Sequence, residues 1–473
     1  MKLNSAQTDR ACGAVLGSAV GDALGAGYEF GSARVGTDGP QMIGGGLGNF
    51  APGEWTDDTT MAWCILDVAA TGQDLRSDAA LTAIGRNFRT WYESRPADIG
   101  IQTSNVLGRA GADPTAVELT AAAAGFHEQT GRTAGNGSLM RTAAVALPFL
   151  GNPDAVADAA RKISALTHFD PRAQEACVLW SLSIRRTVID GELDLRGGLR
   201  YLDDDAVAYW TERIDEAETS DPKRFNPNGW VVSALQAAWS AIVHSDGFAE
   251  TLSTAIRIGD DTDTVAAIAG ALIGAKWGAS AIPAKWRRIL HGYPGKRGED
   301  LVHAAIQATS GGPKPGVWPN ASRMTDGGTT GVLVEHPYDD GVLLGDLDAL
   351  DKLPAEVTAV ISLCRVGTEQ VPPAGVEHIC YWLMDSELRS ENPNLDFILD
   401  DAAKTVAALR DEGQVVLVHC VAAHRRTPTV GIAYALERGV GLAEATSAVR
   451  GVLPRVNPNS AFDEALGRIA AQR

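Results

Sequence analysis

The stretch GDDTDTVAAIAGALIGAKWG, residues 259–278, decides the fold of the larger part of this chain. Three aspartates and two threonines come first, and a long run of small and apolar residues follows them. Alanine and glycine let two helix backbones approach each other, so the run predicts a closely packed helix. A second run of this kind, ACGAVLGSAVGDALGAG, covers residues 11–27.

The pattern of residue types divides the chain into two parts. Residues 8–308 are rich in small and apolar helical runs and predict a compact all-α domain. Residues 309–330 are dominated by Gly, Pro, Ser and Thr and predict a linker. Residues 331–473 predict an α/β domain, because likely strand and helix segments alternate there. The predicted strands are 341–345, 357–364, 378–384 and 414–420, and the predicted helices are 395–413, 429–439, 442–453 and 461–473.

Length and composition limit the classes of protein that fit. The chain has 473 residues, enough for two domains with sizeable cores. Its net charge of −18 argues against a general binder of nucleic acid or of acidic membranes. The six cysteines form no CxxC pair, which favours reduced thiols and a cytoplasmic location. No signal-peptide layout and no apolar run of about 20 residues is present, so no membrane association is expected.

Two acidic runs precede or begin helical patterns: EWTDDTT at residues 54–60 and GDDTDT at residues 259–264. Helix capping is one explanation, because Thr and Asp are favoured at N-caps and in first turns. However, each run holds more carboxylates than a cap needs, and each adds a threonine hydroxyl. Clustered carboxylates repel each other, and a hard divalent cation such as Mg²⁺ removes that repulsion. The runs therefore predict a metal site if they meet in space.

Three further fragments in the first part carry polar groups among apolar surroundings. Residues 21–25 read GDALG and are followed by Glu29. Residues 135–141, GNGSLMR, form a glycine-rich loop that could offer N–H groups to phosphate oxygens, although a plain turn is the alternative. His168 lies in LTHFDPR, where a structural role is the alternative to ligand contact.

Together these fragments resemble the successive motifs of the ADP-ribosylglycohydrolase family, which includes the dinitrogenase-reductase-activating glycohydrolases. The motifs are GDALGAGYEF, EWTDDTTMA, GNGSLMR, THFDPRAQEA and GDDTDTVAAIAGAL, in the order of that family. The resemblance implies an all-α fold with two Mg²⁺ ions, and Glu29 as an acidic residue near the metals and the ribose. It implies that the metal ligands are Thr56, Asp57, Asp58, Asp261, Asp263 and Thr264. It implies that the substrate contacts are Asn136, Gly137, Ser138, Met140 and His168. Asp260 is a departure, since some members have glycine there, and it adds a negative charge near the metals.

The implied chemistry is cleavage at the anomeric carbon of ADP-ribose. Carboxylates stabilise the oxocarbenium character that develops there, and Mg²⁺ can orient ribose hydroxyls and position a water. The substrate is an ADP-ribosylated protein or small molecule, and cleavage of either an N-glycosidic or an O-glycosidic bond is possible. Arginine, serine, nucleic-acid ends and free metabolites all remain open as the group that carries ADP-ribose.

The stretch VVLVHCVAAHRRTPTV, residues 415–430, predicts a second site. An apolar strand, Cys420, a short loop and a helix starting near Arg426 form a cradle for an anion. Arg426 could bind phosphate with two parallel hydrogen bonds, and the cradle favours the thiolate form of Cys420. Thr427 is placed to donate to the sulfur, and His424 and Arg425 could add positive potential. The alternative is a buried cysteine followed by surface basic residues.

This segment resembles the HCx5R[S/T] signature of cysteine phosphatases, most closely the dual-specificity type. The resemblance implies that the cysteine attacks phosphorus and that an upstream acid protonates the leaving oxygen. Asp385 is the expected acid, with Glu387 and Asp396 as weaker rivals. The family usually has glycine where this chain has Ala423, and alanine is strained if the position needs a positive φ.

The combined prediction is a Mg²⁺-dependent ADP-ribosyl hydrolase fused to a cysteine phosphatase that acts on a phosphorylated substrate. In the alternative, the second domain turns over phosphate weakly and recruits phosphorylated partners. A third hypothesis, a purely structural or binding protein, is disfavoured by the intact acidic runs. The two sites could share a doubly modified protein, or act in turn on a phosphorylated ADP-ribose.

Overall fold

The computed structural model describes residues 1–325, 328–453, 455–457 and 459–473. In these ranges the chain forms two compact units. The first comprises Met1–Ile282 and Ile289–Pro313, and the second comprises Pro283–Arg288 and Lys314–Arg473. The boundaries at 308 and 331 stay predictions, and two residues of the predicted linker, Asp326 and Gly327, lie outside the described residues.

The first unit is helical, which confirms the predicted fold class. It also contains a small addition that the sequence pattern did not predict. The strands β1 (His291–Gly292) and β2 (Lys296–Arg297) form an antiparallel pair. The helices of this unit are α1 (Ser5–Gly25), α2 (Asp57–Ala70), α3 (Asp78–Glu93), α4 (Ile101–Arg109), α5 (Ala116–Thr130), α6 (Pro153–Ala165), α7 (Pro171–Asp190), α8 (Asp204–Thr219), α9 (Val231–Val243), α10 (Phe248–Ile258), α11 (Thr262–Trp277) and α13 (Gly298–Ser310).

Helices α1 and α11, which contain the two small-residue runs, pack backbone against backbone. A Cβ atom added at Gly17 would lie 2.4 Å from the carbonyl oxygen of Gly270, and one added at Gly21 would lie 2.1 Å from that of Ala266. Residues 262–275 of α11 are all buried. The absence of side chains at these positions therefore sets the helix spacing, as expected for small residues at a helix contact.

The second unit is built on a five-stranded sheet with the order β3-β4-β7-β5-β6. Strands β3 and β4 are antiparallel, and the other neighbours are parallel. The elements of this unit are α12 (Ala284–Arg287), β3 (Leu333–His336), β4 (Asp339–Gly345), β5 (Ala359–Ser362), β6 (Glu377–Cys380), α14 (Leu395–Asp411), β7 (Val416–His419), α15 (Arg426–Glu437), α16 (Leu442–Val452) and α17 (Ser460–Gln472).

This arrangement confirms the predicted α/β class of the second part. The prediction missed β3, a four-residue strand at the edge of the sheet with a register shift between Glu335 and His336. Three of its four residues are at least partly exposed. Its pairing with β4, rather than a strong apolar pattern of its own, defines it as a strand.

The two faces of the sheet carry different clusters, because successive strand residues point to opposite sides. Val418 and Cys420 belong to the larger cluster, which includes side chains of α14, α15, α16 and α17. Val360 and Leu417 belong to a smaller cluster on the other side. His419 has the same parity as Leu417, so its side chain lies on the side opposite to that of Cys420.

No helix in the described part of the chain combines the length and apolar character that crossing a bilayer requires.

Candidate active sites

Carboxylates from three parts of the first unit converge on one point. Asp22, Asp58 and Asp263 form one group, and Glu29, Asp261 and Asp263 form a second. Within each group the side chains can offer oxygens that lie within 4.8 Å of one another. We call these five residues the carboxylate cluster. The structure thus brings the two acidic runs together at the starts of α2 and α11, and it adds Asp22 of α1, which the sequence did not single out as a ligand.

Helix capping does not account for the two acidic runs. Thr56 is the N-cap of α2 and Asp261 that of α11, yet neither side chain makes a capping hydrogen bond. Instead, the Thr56 hydroxyl donates to Oδ2 of Asp58 over 3.0 Å. Nδ2 of Asn136 donates to Oδ2 of Asp261 over 2.7 Å. Both cap side chains therefore bond to other side chains of the site and not to the free N–H groups at the start of their helices.

Burial and mutual repulsion raise the pKa values of the cluster. Burial raises the pKa of Glu29 to about 8, and the charges of Asp98, Asp261 and Asp57 add to the shift. Burial also raises the pKa of Asp58 and Asp263 well above the ordinary value, with further contributions from neighbouring aspartates. Such a cluster holds its ionised form poorly unless a cation neutralises it.

The donor set fits a hard cation. Oδ1 of Asp58 is buried and has no hydrogen-bond partner among the described residues. Carboxylate and hydroxyl oxygens are the ligands that Mg²⁺ prefers. Asp22, by contrast, accepts hydrogen bonds from the backbone N–H groups of Thr56 and Thr59, each over 2.9 Å, and from the Thr59 hydroxyl over 2.6 Å. Its carboxylate anchors the start of α2.

Two predicted ligands and one residue that the sequence analysis missed line the edge of the cluster. Asp57 is half-buried, and its Oδ2 accepts from the N–H of Gly100 over 3.3 Å. Burial raises the pKa of Asp57 to about 8, and Asp98 is the largest charge acting on it. Asp98 is a single aspartate in the loop before α4, so no run or spacing marked it. Thr264, also a predicted ligand, is buried in the first turn of α11, with its hydroxyl 3.9 Å from Sδ of Met140.

The predicted substrate loop, residues 135–141, lies against His168. A Cβ atom added at Gly137 would lie 3.1 Å from Cε1 of that histidine, so the loop passes close to the ring. Burial holds the pKa of His168 well below its ordinary value, which keeps the ring neutral. Oγ of Ser138 is buried and accepts from the Ser164 hydroxyl over 3.0 Å. This hydrogen bond ties the loop to α6, which contains Ser164.

Asp260, the departure from the family pattern, points away from the cluster. Its φ of +66° is in the left-handed region, where aspartate is among the better-tolerated residues. Its Oδ2 accepts from the N–H of Asn228 over 3.0 Å. The side chain therefore anchors the neighbouring chain segment, although its charge still contributes to the raised pKa of Asp261.

The second site lies at the carboxyl end of β7. Cys420 follows the strand and is buried, and Arg426 begins α15. The guanidinium of Arg426 is held by two carbonyl oxygens, since Nη1 donates to Leu363 over 2.7 Å and to Leu383 over 3.2 Å. Its Nε is buried without a partner among the described residues. The structure thus brings cysteine, loop and arginine together in the predicted order.

Ala423, in the middle of this loop, has φ = +53° and is buried. This is the left-handed conformation that glycine adopts easily and alanine does not. The loop therefore keeps the conformation that the family's usual glycine favours, at a steric cost from the Cβ atom.

Of the remaining predicted residues, some lie beside this loop and others are bonded elsewhere. Asp385 is exposed and pairs with Arg425 over 3.4 Å, which keeps a carboxylate beside the loop. Thr427 donates its hydroxyl hydrogen to the carbonyl oxygen of Gly345 over 3.2 Å, so that hydrogen is directed away from the sulfur. Asp396, one rival acid, lies on α14 in a two-bond pair with Arg468. Glu387, the other rival, is exposed, and the His424 side chain is half-buried.

Comparisons with known proteins match each unit separately. A family model described as "ADP-ribosylglycohydrolase" matches residues 3–314, and one described as "Dual specificity phosphatase, catalytic domain" matches residues 350–471. The "ADP-ribosylarginine hydrolase Tri1" of Pseudomonas putida is 32% identical over 59% of this chain and 73% of its own. The "ADP-ribosyl-[dinitrogen reductase] glycohydrolase" of Rhodospirillum rubrum is 30% identical over 59% of this chain and 89% of its own. The crystal structure of human DUSP28 is 24% identical, with a TM-score of 0.27, over 30% of this chain and 98% of that one.

Proposed function

This chain belongs to the ADP-ribosylglycohydrolase family, and from that premise we propose that its first unit is a Mg²⁺-dependent hydrolase that releases ADP-ribose from ADP-ribosylated arginine. The observation that carries the proposal is the carboxylate cluster, in which Asp263 is common to both groups. Five buried or half-buried carboxylates with raised pKa values are the surroundings that two divalent cations would stabilise.

The residues proposed to hold the metal ions supply only oxygen atoms. They are Thr56, Asp57, Asp58, Asp261, Asp263 and Thr264. When bound, Mg²⁺ would supply Lewis acidity toward the ribose hydroxyls and a water. Asp22 keeps Thr56 in place through the backbone N–H, and Asn136 ties the substrate loop to Asp261. The loop and the metal ligands therefore form one connected structure, which suits a ligand with a ribose at one end and phosphates at the other.

The role proposed for Glu29 is electrostatic. Its carboxylate lies in the second group with Asp261 and Asp263, next to the place where the ribose would bind. Negative charge there stabilises the positive character that develops at the anomeric carbon as the glycosidic bond breaks. Burial raises the pKa of Glu29 to about 8, so its charge depends strongly on what neutralises the rest of the cluster.

Arginine is proposed as the acceptor for two reasons. The relative from Pseudomonas putida is named for ADP-ribosylarginine. In addition, Asp98 contributes negative charge at the edge of the cluster, where a guanidinium leaving group would be favoured. Serine, nucleic-acid ends and free metabolites are the alternatives that the experiment must separate.

The test is to incubate the full chain with peptides ADP-ribosylated on arginine or on serine, ADP-ribosylated nucleic-acid ends, and ADP-ribosylated small molecules. Each is assayed in saturating Mg²⁺ and in EDTA, and released ADP-ribose is measured by mass spectrometry. We expect release from arginine in Mg²⁺ and a loss of at least about 100-fold in EDTA. Release that is equal in EDTA would contradict the metal-dependent proposal.

A matched pair of variants localises the activity. Asp263→Asn removes the carboxylate common to both groups, and we expect it to abolish release. Asp260→Asn changes a neighbouring carboxylate that is bonded to Asn228 instead, and we expect it to retain most activity. Full activity of Asp263→Asn at saturating Mg²⁺ would overturn the metal site.

For the second unit we propose cysteine-dependent phosphate ester hydrolysis. Cys420 and Arg426 flank a loop that leads from β7 into α15, which is the arrangement that suits attack on a bound phosphate. The Cys420 thiolate forms an S–P bond as the ester P–O bond breaks, and Asp385 gives a proton to the leaving oxygen. Water then cleaves the S–P bond, with Asp385 taking its proton, and phosphate is released. The buried Ala423 with positive φ favours the second candidate, a module that binds phosphate and turns it over slowly.

A chromogenic aryl phosphate separates these two candidates. Turnover by the natural chain that disappears in Cys420→Ser supports the phosphatase. The binding module is supported if tungstate, a phosphate-like anion, protects Cys420 against an alkylating reagent while no turnover is seen. If a phosphorylated ADP-ribose accumulates only in Cys420→Ser, the two sites act on one metabolite in sequence.

A further inference from the structure

Three parallel strands of the second unit place polar side chains in one row near the loop that joins β7 to α15. Ser362 of β5 is in register with Cys380 of β6 and with His419 of β7. Because the side-chain period of a strand is two, His378 lies on the same face as Cys380. All four residues therefore lie near the carboxyl ends of their strands, on the face opposite to the Cys420 side chain.

Ser362 connects the two histidines through hydrogen bonds. Its Oγ lies 2.6 Å from Nε2 of His419 and 2.8 Å from Nε2 of His378. Sγ of Cys380 lies 3.4 Å from the same nitrogen of His378. Ser362 and His419 are fully buried, whereas His378 is half-buried at the outer end of this row. We call Ser362, His378 and His419 the serine–histidine row.

A serine hydroxyl has one hydrogen, so it can donate to only one of the two histidines and must accept from the other. Ser362 thereby couples the tautomers of His378 and His419. Burial lowers the pKa of His419 to about 3, so this ring is neutral and has one N–H. Nδ1 of His419 has no hydrogen-bond partner that meets normal geometry among the described residues. The backbone of Cys420 opposes this shift, because it stabilises the protonated ring.

The distances fix one rule for the row: when Ser362 donates to Nε2 of His419, it accepts from Nε2 of His378. In that arrangement the hydrogen of the neutral His419 ring is on Nδ1. We propose that Ser362 and His378 are positioning residues that fix the ring and tautomer of His419 behind Cys420, and so set the reactivity of its thiolate. This inference rests on the proposed phosphatase chemistry, but only through the reactivity of Cys420.

Other charged and titratable groups also act near Cys420. Arg426 begins the following helix, and Cys364 follows β5 close enough to Cys420 for the charge of one to influence the other. Burial raises the pKa of Cys364 to about 12, so its thiol is uncharged near neutral pH. Arg425 and Asp385 form an ion pair at the outer side of the loop. The serine–histidine row lies on the face of the sheet opposite to the Cys420 side chain, and His419 directly precedes Cys420 in the chain.

The test follows the alkylation of Cys420 rather than turnover. The full chain is treated with iodoacetate over a range of pH, and the tryptic peptide that contains Cys420 and no other cysteine is quantified by mass spectrometry. In Ser362→Ala we expect alkylation of Cys420 at pH 7 to slow about fivefold, which is the effect of losing one hydrogen bond. We also expect the pH dependence of the alkylation rate to shift to higher pH. In Ser362→Thr, which keeps a hydroxyl, we expect rates within about twofold of the natural chain.

Two further variants separate positioning from stability. His378→Leu removes the donor at the half-buried end of the row, and we expect it to shift the pH profile of Cys420 alkylation. His378→Gln provides an N–H donor, and we expect it to restore the profile of the natural chain. Thr405→Val is the matched control, because Thr405 is a buried hydroxyl of the same unit that bonds Tyr381 over 2.8 Å. If Ser362→Ala does not fold, the His378 pair carries the test.

The outcomes are distinguishable. An unchanged pH profile in folded Ser362→Ala or His378→Leu overturns the inference, as does an equal shift in Thr405→Val. A shifted profile in a chain that hydrolyses no phosphate ester supports the inference while contradicting the phosphatase proposal. Normal turnover with an unchanged profile contradicts the inference alone.

Discussion

Ala423 is a single residue whose backbone conformation conflicts with its side chain. Its φ of +53° costs an alanine roughly 1 kcal/mol relative to glycine. We therefore expect Ala423→Gly to raise the unfolding free energy of the second unit by about 0.5–1 kcal/mol. We also expect faster turnover of an aryl phosphate, because the loop would adopt the conformation seen here without strain at residue 423.

Denaturant unfolding and steady-state kinetics of the same preparations measure both effects. Ala422→Gly is the control, because Ala422 itself has no positive φ, so the variant should lose stability from the added backbone freedom. If Ala423→Gly destabilises the chain as much as the control does, the result contradicts backbone strain at Ala423.

At this scale, what the sequence can predict depends on whether partners are close along the chain. Asp58, Asp261 and Asp263 could be proposed because each lies in a dense acidic run. Asp22 and Asp98 could not, because each is a single carboxylate whose neighbours arise only from helix packing. Ser362 belongs to this second kind, since its two histidines lie on different strands.

At the scale of elements, the close contact of helices α1 and α11 holds Asp22 and Asp263 of the carboxylate cluster in place. We expect Gly21→Ala to push these helices apart, because its new Cβ would lie 2.1 Å from a backbone oxygen of Ala266. Overpacking of this kind costs about 1–3 kcal/mol. Because Asp22 and Asp263 lie next to this contact, Mg²⁺ affinity should fall together with stability.

Gly125→Ala is the matched control in the same unit. A Cβ atom there meets nothing within 4 Å, and alanine favours the helix interior by up to about 1 kcal/mol. Calorimetric titration with Mg²⁺ and denaturant unfolding compare the two variants. Unchanged Mg²⁺ affinity in folded Gly21→Ala would show that the helix spacing does not set the site.

The fold class of both units could be predicted, since small-residue runs and alternating elements are properties of continuous stretches. Element bounds were less predictable. β3 is stabilised by its pairing with β4, and the predicted strand 378–384 ends earlier, at Cys380, where the chain leaves the sheet. The packing partners that decide such ends are remote in sequence.

At the scale of the whole molecule, the carboxylate cluster makes stability depend on pH and metal together. Burial raises the pKa of Asp22 to about 6, and burial with nearby charges raises those of Glu29 and Asp57 to about 8. In the unfolded chain these carboxyl groups have pKa values of about 4. Their contribution to stability is full below that pH and is lost as the pH rises through about 6 to 8.

We therefore expect the metal-free protein to lose thermal stability between about pH 4 and pH 8, by up to about 1.4 kcal/mol for each pKa unit of a group. The proposed Mg²⁺ ions would bind the ionised carboxylates, so the stabilisation that Mg²⁺ provides should grow over the same window. Thermal unfolding in EDTA and in saturating Mg²⁺ measures how stability changes with pH. In Asp57→Asn we expect the stability of the metal-free protein to change less steeply with pH. Mg²⁺ stabilisation that is constant across the window would contradict the assignment.

The contact between α1 and α11 also has a consequence for synthesis of the protein. The Thr262 hydroxyl donates to the carbonyl oxygen of Gly25 across 237 positions of the chain. A ribosome releases the amino-terminal half of this contact long before the other half exists. Helix α1 must wait without its main packing partner, and closing so long a loop carries an entropy cost that only the finished unit recovers. A nascent chain that ends before residue 262 therefore lacks Asp263, the carboxylate common to both groups of the cluster.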